Sequence, residues 1–138
     1  MKRTANAVWN GSLKEGNGKI TTKSAVLNNT KYDFNSRFGD GKSTNPDELL
    51  AAAHAGCFAM ALSLILGQAG FTADYLDVTS DVTLDADKLE LTESHLTLKA
   101  KIPGITKDKF VECANAAKDN CPVSKALSLK ITLDAGLE

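Results

Sequence analysis

From Leu49 to Ala73 the chain carries no Asp, Glu, Lys or Arg. No other feature limits the fold as strongly. A run of this kind is long enough to cross a bilayer, which takes about 20 apolar residues. Its content argues against that role. It is rich in Ala, Gly and Ser, contains His54 and Gln68, and is interrupted by Gly67 and Gly70. Both flanks are acidic, with Asp47 and Glu48 before it and Asp74 and Asp77 after it, where a membrane span would carry Lys or Arg on one side. The alternative is a helix that is apolar all round and buried on every side. A chain of 138 residues has little material to cover such a helix, so a second subunit is expected to supply part of the cover.

The remaining sequence predicts strands around this helix. Asn10-Gly11 and the GNGK segment are turn signals among the first 40 residues, which read as strands joined by hairpins. In YDFNSRF, Tyr32, Phe34 and Phe38 share one face of an alternating strand, and Asp33, Asn35 and Arg37 the other. The loop GDGKSTN leads to Asn45 as N-cap, Pro46 at N1 and Glu48 at the capping-box position of the long helix. After the helix, LDVTSDVTLDAD and ESHLTLKAKI alternate as two antiparallel strands with a turn between them, and Pro103-Gly104 ends the second. TKDKFVECANAAKDN predicts an amphipathic helix with Phe110, Cys113, Ala114 and Ala117 inward. CPVSKAL predicts a short helix with Cys121 as N-cap and Pro122 at N1, and SLKITLDAGL a closing strand. The predicted class is α+β: one domain over residues 1–138, an antiparallel sheet wrapped around a long buried central helix.

Composition narrows the function. The net charge is −1 and the basic residues are scattered, which argues against a nucleic-acid platform or a membrane-surface patch. MKRTANAVWNG lacks the apolar core of a secretion signal, so a cytoplasmic protein is expected. In that reducing compartment three cysteines are more often catalytic, metal-binding or buried than disulfide-bonded.

The cysteines differ in setting. Cys113 lies on the inward face of an ordinary helix, and Cys57 sits in an Ala-rich helix, where cysteine usually serves as a small hydrophobe. Cys121 is unusual, because caps are normally Ser, Thr, Asp or Asn. Free N–H groups at a helix start favour a thiolate. Together Cys57 and Cys121 form a candidate dithiol, in which one sulfur is oxidised to a sulfenic acid and the other condenses with it to a disulfide. Such chemistry needs neither metal nor nucleotide cofactor, and no phosphate loop, H-E-x-x-H or C-x-x-C motif is present.

His54 precedes Cys57 by three residues on the same helical face. A Cys–His nucleophile pair, as in a hydrolase, is one reading. The preferred one is a buried histidine bonded to a carbonyl. A zinc site from His54, Cys57 and Cys121 lacks a fourth ligand at any recognisable spacing. Glu48 is accounted for by capping and Arg37 by a solvated strand face. A thiolate in an apolar site nevertheless needs a nearby positive charge, and Arg37 is a candidate to supply it, held by a carboxylate.

The run FNSRFGDGKSTNPDELLAAAHAGCFAMALSLILGQAGFT, followed by CPVSKAL and ITLD, closely resembles the OsmC branch of the OsmC/Ohr family of organic hydroperoxide peroxidases. The resemblance runs from the tryptophan of AVWNG to the final strand, and no element of the pattern is missing. It implies an intertwined α+β homodimer with two active sites at the subunit interface. It makes Cys57 the attacking cysteine, Cys121 the resolving one, and Arg37 and Glu48 the accompanying charged pair. It also implies an organic hydroperoxide as substrate and a dithiol, such as a lipoyl group, as reductant. Cys113 matches no catalytic position, and His54 belongs to the OsmC branch motif but not to that of Ohr. Phe38, Phe58 and Met60 are the apolar neighbours expected to favour organic peroxides over hydrogen peroxide. Glu48 and Cys57, nine residues apart on one helix, stand about 180° and about 13 Å apart, so they cannot serve one small site within a chain. The charged pair is therefore expected from the other subunit.

Overall fold

At Asn10-Gly11 the chain turns as expected, with Gly11 in a left-handed conformation at φ 93°. The computed structural model describes all residues, Met1–Glu138, and divides into two compact units, Met1–Leu49 and Leu50–Glu138. In the first, β1 (Ala5–Asn10), β2 (Asn17–Thr22) and β3 (Thr30–Tyr32) form an antiparallel sheet in that order. Most of GNGK lies in β2 rather than in the turn. Gly18 is needed in the strand because a Cβ there would meet the Tyr32 ring at 2.4 Å and the Trp9 ring at 2.7 Å. Those two rings close over it, with centroids 5.4 Å apart.

YDFNSRF is not a strand. Residues Phe34–Phe38 form a short helix, α1. Asp33 starts it by accepting the Ser36 N–H at 2.8 Å, a local cap that competes with strand pairing. The two aromatics expected on a strand face meet instead one helical turn apart, at 4.7 Å between ring centroids.

The uncharged run forms most of α2 (Pro46–Gln68). Asn45 caps it, its Oδ1 accepting the Glu48 N–H at 2.8 Å. The capping box is incomplete, because the Glu48 carboxylate accepts the Thr44 hydroxyl instead, also at 2.8 Å. By length and apolarity alone α2 could cross a membrane. Within the chain it buries a single stripe, His54, Phe58, Leu62 and Leu66, spaced at i, i+4. The expectation of a helix buried on every side is thus corrected for the single chain. Met60 and Leu64 are 77% and 63% exposed.

In the second unit β4 (Tyr75–Asp85) and β5 (Glu90–Lys101) pair antiparallel with one register shift at Thr83/Leu84. Every second residue of β5 from Ser94 to Ala100 is buried, as strand periodicity requires. Next come α3 (Lys107–Asn120), α4 (Pro122–Ala126) and β6 (Lys130–Leu137). β6 lies parallel to β5, from Glu93↔Lys130 to Ala100↔Leu137, which corrects the expectation of a wholly antiparallel sheet. The reason is topological: two helices carry the chain back to the start of β5, and a crossover of that length returns a strand in the same direction. The core of this unit joins Phe58, Leu62 and Leu66 of α2 to Leu96, Leu98 and Ala100 of β5 and to Phe110, Cys113, Ala114 and Ala117 of α3.

Candidate functional site

Two cysteines that are 64 positions apart meet in the second unit. Cys121 Sγ lies 2.8 Å from Cys57 Sγ, and both are free thiols. A disulfide needs about 2.05 Å, so bonding them takes a sub-ångström movement. Local sequence produces the contact. Cys121 is at once the C-cap of α3 and the N-cap of α4, and Pro122 at N1 fixes the change of direction. Its side chain makes no capping bond, which leaves the sulfur free to face α2. Cys121 is fully buried, Cys57 partly so, and Cys113 lies in the core.

The two sulfurs are electrostatically unequal. Burial pushes the Cys57 thiol up, the neighbouring Cys121 thiol adds to this, and the Val123 N–H at 3.5 Å opposes it only in part. Burial also acts upward on Cys121, but it is outweighed. The Cys57 thiol, the N–H and hydroxyl of Ser124 and the N–H of Val123 all favour its thiolate, and Cys121 ends below the ordinary thiol range. The direction agrees with the helix-start argument for an acidic Cys121.

His54 is fully buried beside this pair. Its Nδ1 bonds the Ser94 hydroxyl at 2.6 Å and its Nε2 the Ser124 hydroxyl at 2.8 Å. The expected partner of a buried histidine was a carbonyl; the partners are serines, and they occupy both ring nitrogens. Neither nitrogen is left to activate Cys57, which removes the basis of a Cys–His nucleophile pair. No three metal-ligating side chains converge. Burial holds the His54 imidazole below its usual titration range, so it is neutral at pH 7. Sequence reading missed Ser94 and Ser124. A signal existed for Ser94, a hydroxyl at the inward register of a strand that otherwise presents Leu96, Leu98 and Ala100.

Arg37 and Glu48 lie in the first unit. Arg37 forms a two-pronged pair with Asp47, Nε to Oδ2 at 3.3 Å and Nη2 to Oδ1 at 3.1 Å. Its carboxylate partner within the chain is therefore Asp47 and not Glu48, which Thr44 engages. Arg37 stands on the wall of a cleft of about 270 Å³ that is shared with Trp9, Tyr32, Phe34, Phe38 and Pro46. Of the three expected apolar neighbours, Phe38 lines this cleft, Met60 is exposed on α2, and Phe58 is buried in the core and unavailable to a substrate.

Residues 39–135 match the model of the OsmC-like protein family. The chain is 46% identical over 140 aligned positions to Peroxiredoxin OsmC of Escherichia coli strain K12, covering all of this chain and 98% of that protein. It is 35% identical over 97 positions to an organic hydroperoxide resistance protein-like sequence of Staphylococcus aureus, covering 69% of each. Among solved structures, the organic hydroperoxide resistance protein OhrB of Bacillus subtilis aligns over 98% of both chains at 26% identity with a TM-score of 0.65. An OsmC-like protein of Mycoplasma pneumoniae, 18% identical, shares the fold with a TM-score of 0.76 over 99% of this chain and 97% of that one. By the family match, and by identity along its whole length to a curated relative, the chain belongs to the OsmC-like protein family.

Proposed function

We propose that this protein is a thiol-dependent peroxidase that reduces organic hydroperoxides to alcohols. The observation that carries the reading is the 2.8 Å contact between Cys57 and Cys121, two free thiols brought together from distant parts of the sequence. The Cys57 thiolate attacks the terminal oxygen of ROOH. The S–O bond forms, the O–O bond breaks, and the alkoxide takes a proton to leave as ROH. Cys121 then attacks the Cys57 sulfenic acid. The S–S bond forms, hydroxide departs, and with the Cys121 proton it becomes water. A dithiol reductant, lipoyl in the family's manner, restores both thiols by exchange.

Cys57 is held above the ordinary thiol range within the chain, so a cation from outside its own helix must stabilise the thiolate. We assign this role to Arg37 of a second subunit, with Glu48 beside it, in a homodimer. The exposed apolar side of α2 supports such a partner, since Met60 and Leu64 leave it uncovered. The aromatic cleft around Arg37 supports an organic substrate, because apolar walls reward an apolar substituent.

The test is consumption of cumene hydroperoxide with dihydrolipoate or dithiothreitol as reductant. Turnover with stoichiometric oxidation of the dithiol is expected. Thiol titration after one equivalent of hydroperoxide should show two thiols lost per chain with Cys113 still free. No consumption, with three thiols remaining, would leave a non-catalytic binding or stress protein as the better reading.

A further inference from the structure

His54 and Cys57 stand three residues apart on α2, and Cys121 and Ser124 stand three apart at the start of α4. They pair as two rungs between these elements. Cys57 Sγ lies 2.8 Å from Cys121 Sγ, and His54 Nε2 lies 2.8 Å from Ser124 Oγ. Behind the second rung, His54 Nδ1 meets Ser94 Oγ of β5 at 2.6 Å, and Ser94 Oγ meets Ser80 Oγ of β4 at 3.0 Å. Both ring nitrogens are held, so the imidazole cannot turn without breaking a bond. His54 and Ser94 are fully buried and Ser124 is 7% exposed. Phe58, Leu62 and Leu66 continue the same stripe of α2, where one more apolar side chain would avoid the desolvation of a buried imidazole. The peroxidase reading uses neither His54 nor its serines.

What the second rung does follows from the weakness of α4. Its five residues, Pro122–Ala126, make little more than one helical turn, and so short a helix does not hold its own shape. At its start the Cys121 N–H donates to the Ala117 carbonyl of α3 at 3.0 Å. Toward α2 there are three hydrogen bonds: Cys121 Sγ to Cys57 Sγ at 2.8 Å, the Val123 N–H to Cys57 Sγ at 3.5 Å, and the bond between Ser124 and His54. The first two end on a sulfur and change when that sulfur is oxidised. The third does not. Ser124 follows Val123 directly and shares a turn with Cys121, so fixing its hydroxyl restricts both groups that face Cys57. Holding two thiols together in advance removes freedom that their joining would otherwise cost.

We propose that His54, backed by Ser94, is a positioning residue that clamps α4 to α2 through Ser124 and so sets the effective concentration of Cys121 at Cys57. The pair can be oxidised reversibly by glutathione disulfide. One cysteine thiolate attacks it, an S–S bond to glutathione forms, and a glutathione thiolate leaves. The other cysteine thiolate then attacks the mixed disulfide at the cysteine sulfur and releases the second glutathione. The Cys57–Cys121 bond replaces the glutathione S–S bond, two electrons pass to glutathione, and its two thiolates take up the two cysteine protons. The intramolecular step is the one that the clamp favours. The same closure onto a Cys57 sulfenic acid rests on the peroxidase reading; the clamp itself does not.

The experiment is a redox titration without peroxide. The protein is equilibrated with set ratios of reduced and oxidised glutathione, free thiols are alkylated, and the disulfide fraction is measured by mass spectrometry. Ser124→Ala is expected to lower the equilibrium constant for the disulfide roughly tenfold, the effect of losing one buried hydrogen bond. That raises the potential of the pair by about 30 mV. Ser124→Thr keeps the hydroxyl and should stay close to the parent. Ser94→Ala, which removes a bond to neither α4 nor sulfur, should lower the constant several-fold by leaving the ring free to turn. Cys113→Ala is the control: it weakens the same core without touching the clamp and should leave the constant unchanged. The proposal is overturned if folded Ser124→Ala has the constant of the parent, if Ser124→Thr is no better than Ser124→Ala, or if Cys113→Ala lowers the constant as far. Constants that shift as expected in a protein that consumes no hydroperoxide would count against the peroxidase reading alone.

Discussion

At the scale of single residues, the three cysteines should separate cleanly. Cys57→Ser is expected to abolish peroxide turnover, since a serine hydroxyl is not ionised at neutral pH. Cys121→Ser should consume about one equivalent and stall with Cys57 as sulfenic or sulfinic acid, which mass spectrometry would detect. Cys113→Ala, in the core and away from the sulfur pair, should keep full activity and destabilise by about 1 kcal/mol in urea unfolding. Activity surviving in Cys57→Ser would reassign the attack to Cys121, the sulfur that the chain's own donors favour as thiolate. His54 makes a separate prediction about pH. Its folded titration lies below that of the unfolded chain, so the unfolded state binds the extra proton first. Its stabilising contribution is complete above about pH 6.5 and is lost as pH falls below that value toward the folded pKa. Thermal unfolding should therefore decline more steeply from about pH 6.5 to 5 in the parent than in His54→Gln. Equal slopes would show that His54 is not held neutral.

Elements follow local rules where local partners exist. The turn between β4 and β5 is organised by Asp85, whose Oδ1 accepts the N–H groups of Asp87 and Lys88 at 3.0 and 3.1 Å. The turn forces Leu89 into a left-handed conformation, φ 52°, with its side chain 72% exposed. Leu89 thus bears backbone strain with little burial in return. Leu89→Gly should stabilise the protein by about 0.5–1 kcal/mol, measured as a higher urea midpoint with unchanged slope. A lower midpoint would mean that the leucine is covered in solution. The first-unit helix α1 shows the converse case. Its aromatic spacing suits a strand as well as a helical turn, and the Asp33 side chain decides between them.

At the scale of the whole molecule, α2 lacks cover within the chain along the side that bears Met60 and Leu64. Its exposed side is apolar, and the thiolate proposed at Cys57 has no cation assigned to it within its own unit. A homodimer that brings Arg37 onto the partner's Cys57 meets both needs. Subunit exchange tests this directly. Arg37→Ala and Cys57→Ser proteins should each be inactive, while the exchanged mixture should recover activity, because each heterodimer holds one site built from unmutated contributions. A mixture that stays inactive, with heterodimers confirmed by native mass spectrometry, would place the arginine and its cysteine within one chain.

The sequence alone determined what depends on near neighbours or on a long uninterrupted pattern. The cap at Asn45, the uncharged run that fills α2 after Glu48, the alternation of β5, the inward face of α3 and the kink at Cys121-Pro122 all follow from residues within a few positions of one another. The family motif likewise lies in short segments, which contain Cys57 and Cys121. Tertiary structure decided what depends on residues far apart in the chain. It set the parallel pairing of β6, because hydrogen-bond direction depends on where a crossover returns. It chose Asp47 over Glu48 for Arg37, adjacent carboxylates that the sequence could not rank. It also joined Ser80, Ser94, His54 and Ser124 into one line, since a serine carries no sign of which distant nitrogen its hydroxyl will meet.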